Sequence, residues 1–293
     1  MKPDDVTIDI LLPFYGDVEY FKLAVKSVLA QTDPHWKLII SDDKNPDSSG
    51  IEWAASLNDQ RIDCQINAEN LGASRNFQKC LEQVAAEYFV VFGADDVMDP
   101  NFIESAKREI KQNPEADILH PGVQVIDSFG SIKSTTTDRI KGILRPKQGT
   151  HQGDELAARL MAGNWTYFPS IVWKSKSTKS FGFGSHLNVA ADLGLIMEVV
   201  LAGGVMHIFD ENTFRYRRHG SNDSLNRAID GTRFVEEKEF FKIMQTKFKA
   251  KGWNSAARSA NRHMTSRLNA AFLLPKTIIN QGNTKKVLQH IFF

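Results

Sequence analysis

A short apolar run that ends in two adjacent carboxylates limits the folds open to this chain more than any other feature. The run covers residues 88–92 and continues through Gly93 and Ala94 into Asp95 and Asp96. Such a segment is typical of a strand that is buried on both faces of an α/β sheet. Open α/β sheets bind ligands at the carboxyl ends of their strands. The run therefore predicts a buried central strand that delivers two carboxylates to a binding crevice.

The two acids have two interpretations. Neighbouring carboxylates raise each other's pKa, and a divalent cation relieves that repulsion, with hard oxygen ligands suiting Mg²⁺ or Mn²⁺. A solvated turn is the alternative, and taken alone Asp95 and Asp96 favour neither. The nearby pair of Asp99 and Pro100 predicts a helix start, with Asp99 as N-cap and Pro100 at the first helical position.

The composition is that of an ordinary globular protein. The chain has 293 residues, 42% of them hydrophobic and 24% charged, and its net charge of +1 gives no reason to expect nucleic acid as a partner. Two cysteines, Cys64 and Cys80, exclude a disulfide framework and suit a reducing cytosol. The first residues lack a signal-peptide pattern, and the apolar stretch 193–209 is too short to span a bilayer comfortably. We expect a cytoplasmic protein.

Strand and helix patterns alternate along the first hundred residues. Apolar runs at residues 6–12, 36–41 and 62–66 predict strands, and segments such as 21–29 have apolar residues at helical spacing. This alternation is typical of βαβ units and a mostly parallel sheet. The carboxyl ends of these strands would then meet at one edge of the sheet.

Polar side chains follow these strands. Tyr15 and Asp42 come after the first two strands, Arg75 lies before a helix, and Asp95 and Asp96 follow the central strand. At one sheet edge, an aromatic ring can stack on a base, carboxylates can accept from base or ribose groups, and an arginine can neutralise a diphosphate. Each residue also has an ordinary structural role open to it. Their joint placement favours a nucleotide-diphosphate site.

Five motifs in one order resemble those of family 2 glycosyltransferases. They are L-L-P-F-Y-G, S-V-L-A-Q-T, L-I-I-S-D-D-K-N-P-D, N-L-G-A-S-R-N and F-G-A-D-D. The resemblance implies the A-type nucleotide-diphospho-sugar transferase fold, an α/β fold with a mostly parallel central sheet flanked by helices. It also implies an inverting reaction, a UDP- or dTDP-sugar donor, and a divalent metal, Mn²⁺ or Mg²⁺.

The resemblance also implies roles for single residues. The expected nucleotide-sugar contacts are Pro13, Tyr15, Asp42, Arg75 and Asp95. Among these, Tyr15 and Asp42 match base-binding positions, and Arg75 matches the phosphate-contacting position. Asp95 matches the ribose-binding acid, and Asp96 matches the metal ligand of the D-x-D motif.

Two positions depart from the family pattern. Phe14 stands where members often have Thr or Ser. This departure leaves the contacts to the base open. Gly93 stands where many members have an acid, so that the motif is shortened to G-A-D-D. Asp95 and Asp96 still supply two acids, and a lower metal affinity is the expected consequence.

Residues 127–151 form the least regular stretch of the chain. We favour a solvated loop, with a flexible basic cover for an acidic acceptor or an anionic lipid as the alternative. The cations that suggest such a cover are Lys133, Arg139, Lys141, Arg145 and Lys147. Further along, Trp165 and Tyr167 are candidate contacts for an acceptor sugar, although core packing is the commoner role of such rings.

The resemblance places the catalytic base at a helix start near residue 192. Family members often have an acid pair here, whereas this chain has Ala191 followed by Asp192. Inverting transfer needs a base to take the proton of the acceptor hydroxyl as it attacks the anomeric carbon. The metal and Arg75 would stabilise the leaving diphosphate. We interpret Asp192 as the catalytic base, with a helix cap as the alternative.

A second family-like pattern, Y-R-x-H-G-S-N-x-S, runs from residue 216 to residue 224. In the family, such a loop closes over the diphosphate and its histidine can join the metal. His219 is therefore a candidate third metal ligand, with a purely structural role as the alternative. Arg217 and Arg218 would add charge near the phosphates or lie in solvent.

The chain beyond Thr232 has helical character, and residues 285–293 are cationic and then apolar. Packing on the catalytic domain or on a homodimer partner is the favoured role. Contact with a membrane surface near a lipid-linked acceptor is the alternative. We divide the chain into a catalytic α/β domain at residues 1–228, which binds nucleotide sugar and acceptor, and a C-terminal helical extension at residues 229–293.

These features predict an inverting, metal-dependent glycosyltransferase that acts on a hydroxyl of a saccharide or lipid-linked acceptor in surface polysaccharide or glycoconjugate synthesis. A nucleotidyltransferase is disfavoured, because Pro13, Phe14 and Tyr15 do not form the Gly-rich loop that cradles a triphosphate. A non-catalytic nucleotide-sugar binder or assembly partner is the other alternative. Gly93 and Ala191 favour it, and the retained acids disfavour it.

Overall fold

The structure is a computed structural model, and it describes residues 6–182, 191–219, 232–279 and 283–292. Its described residues contain a nine-stranded sheet in the order β3-β2-β1-β4-β8-β6-β9-β5, with β7 paired to β9. The strands are β1 Ile8–Phe14, β2 Trp36–Asp42, β3 Ile62–Ile66, β4 Tyr88–Val91, β5 Val97–Met98, β6 Ile118–Ile126, β7 Gly149–His151, β8 Val172–Lys174 and β9 Met206–Arg217.

Helices cover both faces of this sheet. They are α1 Val18–Leu29, α2 Ser49–Ser56, α3 Ala73–Glu82, α4 Phe102–Gln112, α5 Thr136–Leu144, α6 Gly153–Ala162, α7 Ser175–Thr178, α8 Ala191–Leu201, α9 Thr232–Ala250, α10 Asn254–Arg262, α11 Met264–Ile279 and α12 Thr284–Phe292. The predicted α/β fold with a central sheet and C-terminal helices is confirmed.

The first four predicted strands form the parallel part of the sheet. β1 lies between β2 and β4, and β3 pairs with the outer side of β2. Leu11 and Val90, in the two central strands, are fully buried. Phe14 is paired with Asp42, so the carboxyl ends of β1 and β2 lie side by side. The polar residues that the sequence predicts after these strands therefore lie at one edge of the sheet, which we call the donor edge.

The second half of the sheet is mixed. β8 runs antiparallel to both β4 and β6, and the long ladder between β6 and β9 is parallel. A short strand such as β8 carries few local signals, because its place depends on pairing with strands that are distant in sequence. This insertion joins the parallel half of the sheet to β6 and β9 in one continuous sheet.

The predicted helix start at Asp99 is wrong by two residues. α4 begins at Phe102 with Asn101 as its N-cap. The backbone N–H of Asp99 donates to the Thr213 carbonyl at 2.8 Å, and its Oδ1 accepts from Arg215 Nε at 2.7 Å. Pairing of β5 with β9 therefore holds Asp99 in the strand region, and the helix starts later.

The prediction of a solvated loop for residues 127–151 is also wrong. The stretch contains helix α5 and strand β7, which pairs with β9. Thr135 and Asp138 form a capping box, in which each side chain accepts a hydrogen bond from the other residue's backbone N–H. None of the residues of α5 is fully buried, so the helix lacks the apolar face that sequence patterns detect.

The C-terminal helices divide into two packing groups. α9 and α10 contribute Phe240, Phe248 and Ala257 to the same hydrophobic core as α6 and α8. α11 and α12 bury a smaller cluster against α9 that includes Leu273 and Val287. Among the described residues, no helix combines the length and the apolar character needed to cross a membrane.

Candidate active site

The turn after β4 brings the two predicted acids to the donor edge. Phe92 continues the pairing with β1, and the chain then turns so that Asp96 N–H donates to the Gly93 carbonyl at 3.2 Å. A Cβ on Gly93 would lie 2.5 Å from Asp96 Oδ2 and 3.1 Å from Asp95 Oδ1. The acid that many family members carry at this position would therefore collide with the turn as it is folded here.

Asp96 is almost completely buried, with 1% of its surface exposed. Its Oδ1 accepts the Arg217 backbone N–H at 2.7 Å, whereas its buried Oδ2 has no hydrogen-bond partner among the described residues. Burial raises the pKa of Asp96 well above its ordinary value, and the charge of Asp95 raises it further. A buried carboxylate oxygen without a partner is costly, and a divalent cation is a suitable partner for it.

Asp95 is more open and holds the predicted histidine. His219 Nε2 donates to Asp95 Oδ2 at 2.7 Å, and this hydrogen bond raises the pKa of His219. The His219 ring also lies 5.4 Å from the ring of Tyr20. Within the described part of the chain, no three His, Cys, Asp or Glu side chains are grouped to hold a metal ion. Asp95 and Asp96 are thus close together, and His219 binds Asp95.

Arg217 fixes this turn to β9. Its side chain is buried, its Nε donates to the Asp95 carbonyl at 2.7 Å, and its Nη1 donates to the Asp127 carbonyl at 3.1 Å. The guanidinium lies 4.8 Å from the Tyr20 ring centre. Of the two roles considered for Arg217, the solvated one is wrong, because the guanidinium is buried and donates to the carbonyls of two neighbouring turns. Sequence patterns gave no signal for this, since the partners are distant in the chain.

The end of β2 carries two buried acids with different partners. Asp42 Oδ1 accepts the Asn45 N–H at 2.7 Å, and burial raises the pKa of Asp42. Asp43 accepts the backbone N–H groups of Leu71 at 2.8 Å and Gly72 at 2.9 Å. Asp43 thereby ties the loop before α3 to β2. This role was missed, because the residue looks like one of several turn formers.

Tyr15 and Arg75 face solvent at the same edge. Tyr15 follows β1 and is 59% exposed, beyond Pro13 near the end of that strand. Arg75 is an exposed residue of α3, with its Nε bonded to the Leu71 carbonyl at 2.7 Å. Phe14, the departure from the family pattern, is buried and stacks on Phe21 at 4.1 Å. Its ring therefore belongs to the core and not to the crevice.

Asp192 lies in the first turn of α8, as predicted. Its Oδ1 accepts the Leu193 N–H at 2.6 Å, and its Oδ2 accepts from Asn164 Nδ2 at 3.3 Å. Burial raises the pKa of Asp192, while the Leu193 N–H and the charge of Lys141 oppose this increase. A carboxylate with a raised pKa is a stronger proton acceptor than an ordinary one, which suits a general base.

Beside Asp192, α5 forms a polar network that sequence reasoning missed. Arg218 Nη2 donates to Asp138 Oδ1 at 2.6 Å, and Tyr167 Oη donates to the same oxygen at 2.9 Å. Lys141 Nζ donates to the Thr166 carbonyl at 2.6 Å and lies 4.3 Å from the Tyr167 ring centre. Burial, and then the charge of Arg218, lowers the pKa of Lys141 to about 8. We call this side of the crevice the acceptor edge.

A cleft of about 390 Å³ opens between α5 and β6. Its walls include Asp138, Lys141, Tyr167 and Trp165, and none of the predicted donor contacts lines it. Trp165 is 1% exposed and packs edge-on against His120 at 5.4 Å, so core packing is its main role. Burial lowers the pKa of His120 to about 3, which keeps this wall residue neutral.

Two predicted features lie outside the described residues. They are the segment 186–190 before α8 and the loop 220–224 that follows His219.

The comparisons with known proteins agree with this architecture. The family model described as "Glycosyl transferase family 2" matches residues 9–175, which is more than half of the chain. The chain belongs to glycosyl transferase family 2. The match covers the donor edge, the two-acid turn and the residues up to the end of β8. The resemblance in the five motifs is thus confirmed.

Curated relatives match the chain over part of their length. A putative teichuronic acid biosynthesis glycosyltransferase, TuaG of Bacillus subtilis, is 33% identical over 30% of this chain and 36% of its own. The Escherichia coli UDP-Glc:alpha-D-GlcNAc-diphosphoundecaprenol beta-1,3-glucosyltransferase WfgD is 26% identical over 34% of this chain and 40% of its own. The chain spans about a fifth of two uncharacterised Rickettsia glycosyltransferases, at 21% and 20%.

Solved structures share the fold at low sequence identity. TarS 1-349 of S. aureus, in complex with UDP-GlcNAc, has a TM-score of 0.64 and 15% identity, covering 83% of this chain and 65% of its own. The mannosyltransferase PcManGT of Pyrobaculum calidifontis, in complex with GDP-Man and Mn²⁺, has a TM-score of 0.61 and 13% identity, covering 97% and 84%. The fold is the A-type glycosyltransferase fold.

Proposed function

We propose that the protein is an inverting glycosyltransferase that moves a sugar from a nucleotide diphosphate donor to an acceptor hydroxyl. One observation carries the proposal: successive residues at the end of β9 contact both edges. The Arg217 backbone N–H donates to Asp96 Oδ1 at 2.7 Å, and Arg218 Nη2 donates to Asp138 Oδ1 at 2.6 Å. Just before them in the chain, the Tyr216 ring lies 5.1 Å from the ring of Tyr167, so that one strand end joins the two-acid turn to the acceptor edge. Transfer in one step requires the leaving diphosphate and the base to act on opposite sides of one sugar.

The donor is proposed to lie along the donor edge, with UDP or dTDP as its nucleotide. Tyr15 is exposed where a base would stack, and Asp42, whose Oδ1 accepts the Asn45 N–H, lies at the same edge. Arg75 is exposed on α3 and can approach a diphosphate. The solved TarS complex contains UDP-GlcNAc, which supports a uridine nucleotide by analogy.

A divalent ion, Mn²⁺ or Mg²⁺, is proposed to bind Asp96, with Asp95 beside it and His219 within reach through Asp95. The fit is supported by the buried Asp96 Oδ2 that has no partner among the described residues. When bound, such an ion neutralises charge on the diphosphate leaving group. Since His219 is hydrogen-bonded to Asp95, ligation by His219 would require that bond to break.

Asp192 is proposed to accept the proton of the attacking hydroxyl. Asn164 and the Leu193 N–H hold its two oxygens in place. Burial raises the pKa of Asp192, and the Leu193 N–H and the positive charge of Lys141 oppose this increase, so both favour the ionised form that a base needs. The sugar bond to the diphosphate breaks as the new bond forms, and the proton stays on the Asp192 carboxylate.

The acceptor is proposed to be a saccharide or a lipid-linked saccharide in polysaccharide synthesis. The relatives TuaG and WfgD support this class, since one is a putative teichuronic acid biosynthesis glycosyltransferase and the other a glucosyltransferase named for GlcNAc-diphosphoundecaprenol. The residues 1–228 would perform the reaction, and residues 229–293 would support it. We also propose that the protein acts in the cytoplasm.

The test compares Asp96 with Asp192. Titration calorimetry of UDP and dTDP, with and without Mn²⁺, is expected to show metal-dependent binding that Asp96→Asn abolishes and Asp192→Asn retains. Release of UDP from UDP-GlcNAc should fall about 10²–10⁴-fold in Asp192→Asn, since a general base contributes about that factor. Asp99→Asn, which alters an acid paired with exposed Arg215, is the matched control.

Equal loss of nucleotide binding in both variants would contradict the division of roles between Asp96 and Asp192. Nucleotide binding without any turnover in the unmodified protein would instead favour a non-catalytic nucleotide-sugar binder.

A further inference from the structure

The C-terminal part of the chain differs in charge from everything before it. Residues 251–293 contain seven Lys and Arg residues and no Asp or Glu, whereas the whole chain has 36 cations and 35 acids. The remaining 250 residues therefore carry a net negative charge. The seven cations are Lys251, Arg258, Arg262, Arg267, Lys276, Lys285 and Lys286. A basic segment of this kind attracts an anionic surface.

The same segment exposes an apolar face on α11. Met264, Leu268, Phe272 and Ile278 are 52%, 61%, 76% and 58% exposed. The first three are four residues apart and so lie on one side of the helix. The other side packs inward, with Ala270, Leu273 and Thr277 buried. Four large apolar side chains in a row on a solvent-facing helix are unusual for a globular protein.

α12 continues this surface. Its Val287 and His290 pack inward, whereas Leu288 is 38% exposed and Phe292 is 68% exposed. Lys285, at the start of the same helix, is also exposed. We define the interfacial face as the exposed apolar side chains of α11 and α12, which are Met264, Leu268, Phe272, Ile278, Leu288 and Phe292.

The interfacial face adjoins the acceptor edge. Thr265 Oγ1 donates to the Ala162 carbonyl at 2.7 Å, and a Cβ on Gly163 would meet both Leu144 of α5 and Thr265 of α11. The next residue, Asn164, donates to Asp192. The start of α11 is therefore linked to the candidate base through a short stretch of chain, with α5 on the other side of Gly163.

α5 adds apolar surface at this place. Its Ile143 is 80% exposed and its Ile140 is 44% exposed, while Leu144 turns inward toward Gly163. Arg139, on the same helix, is exposed as well. The C-terminal end of α5 and the start of α11 thus lie near each other beside the acceptor edge, and both helices expose apolar side chains.

We propose that the interfacial face binds the surface of a membrane that contains anionic lipids, with α11 lying in the plane of the interface. Apolar side chains of such a helix enter the boundary between headgroups and acyl chains, and cations around them bind lipid phosphates. A second copy of the chain is a poorer occupant. Pairing this face with itself would bring two segments with seven cations each together, without a single acid to neutralise them.

The test is co-sedimentation of the full chain with large vesicles. Unmodified protein is expected to bind vesicles of phosphatidylcholine with phosphatidylglycerol, and to bind pure phosphatidylcholine vesicles at least tenfold more weakly. Leu268→Gln combined with Phe272→Gln should reduce binding to the anionic vesicles at least tenfold, because it removes the two most exposed central side chains. Leu23→Gln, at a 46% exposed leucine of α1, is the matched control and should bind as the unmodified protein does.

A second variant tests the charge. Lys285→Gln combined with Lys286→Gln should weaken binding to anionic vesicles about tenfold or more, and 0.5 M salt should weaken the unmodified protein in the same way. All of these side chains lie at or near the surface, so circular dichroism and the melting temperature should stay unchanged. No substrate is present, and the outcome is therefore independent of sugar transfer.

Several outcomes would overturn the proposal. They are absent binding of the unmodified protein, equal binding to neutral and anionic vesicles, and equal loss in Leu23→Gln. A dimer in solution that the Leu268 and Phe272 double variant dissociates would also overturn it, because the face would then be covered by a second copy.

Discussion

The donor edge and the acceptor edge are held in place by different kinds of contact. At the donor edge, the carboxylates of Asp42, Asp43 and Asp96 accept backbone N–H groups. At the acceptor edge, Asp138 accepts the Thr135 backbone N–H and is also held by the side chains of Arg218 and Tyr167. Backbone contacts depend on the course of the chain, whereas a side-chain contact is lost with a single substitution. A substitution among the side-chain contacts of the acceptor edge should therefore have a more local effect than one that displaces the backbone at the donor edge.

The largest effect is expected at Arg217, whose side chain bonds to the two-acid turn of the donor edge. Arg217→Gln removes the bonds to the carbonyls of Asp95 and Asp127 and leaves these groups without their partner. Each unsatisfied buried group costs about 1–3 kcal/mol, so the free energy of unfolding should fall by about 2–4 kcal/mol. UDP binding with Mn²⁺ should weaken as well. Urea denaturation and calorimetry measure the two effects.

Arg215→Gln is the control for this substitution, because Arg215 is on the same strand and its pair with Asp99 is exposed. It should cost at most about 1 kcal/mol. Equal losses in both variants would mean that the donor edge does not depend on Arg217.

A smaller and more local effect is expected at the acceptor edge. Asp138→Ala removes the capping box of α5 and the bonds from Arg218 and Tyr167. We expect a loss of about 1–2 kcal/mol, as for other helix caps, together with faster amide hydrogen exchange in residues 136–144. The affinity for UDP and Mn²⁺ should stay within twofold of the unmodified protein.

Asp210→Ala is the matched control, since Asp210 is an exposed acid paired with Arg145 just beyond α5. Its exchange rates in α5 should change little. If Asp138→Ala weakened nucleotide binding as strongly as Arg217→Gln, the separation of the two edges would be disproved.

The smallest effect concerns the pH dependence of turnover. The positive charge of Lys141 lowers the pKa of Asp192, so Lys141→Met should raise that pKa. The base acts in its ionised form, so the acid limb of the activity profile should move to higher pH. The acid limb of the UDP-release profile measures this shift. Lys147→Met, which removes an exposed lysine after α5, should leave the profile in place.

Lys141 itself should make the stability of the fold depend on pH. In the folded protein the pKa of Lys141 is about 8, which is below its value in the unfolded chain. Below pH 8 the desolvated ammonium therefore lowers the stability of the fold. This loss of stability becomes smaller as the pH rises from 8 toward the unfolded pKa. Relative to Lys141→Met, the unmodified protein should therefore gain stability between those two values. If the difference in stability between the unmodified protein and Lys141→Met stayed constant across this pH range, the Lys141 ammonium would not be desolvated.

The sequence predicted the donor edge better than the acceptor edge for a physical reason. β1, β2 and β4 are apolar runs followed by polar residues, so both the strands and the positions of Tyr15 and Asp96 can be found locally. The helix α5 has no buried residue, so no apolar periodicity marked it in the sequence, and the stretch was predicted as a solvated loop. The burial of Arg217 depends on turns that lie about ninety or more residues away.

The tight turn at Gly93 shows a similar limit. The missing acid looked like a loss of metal affinity, whereas the structure indicates that a side chain would strike Asp96. No local pattern contains this information, because the conflict depends on how the turn folds back on itself. Metal affinity at this turn stays a prediction.

The end of β9 has a consequence for how substitutions combine. Three successive residues reach both edges: Arg217 and His219 bond to Asp95 in the two-acid turn, and Arg218 bonds to Asp138. Effects of substitutions add when the sites share no partner, and they deviate when they do. A double-mutant cycle between Asp95 and Asp138 therefore joins sites that share a three-residue stretch of backbone. Their free-energy changes are not independent, even though one acid serves the donor edge and the other the acceptor edge.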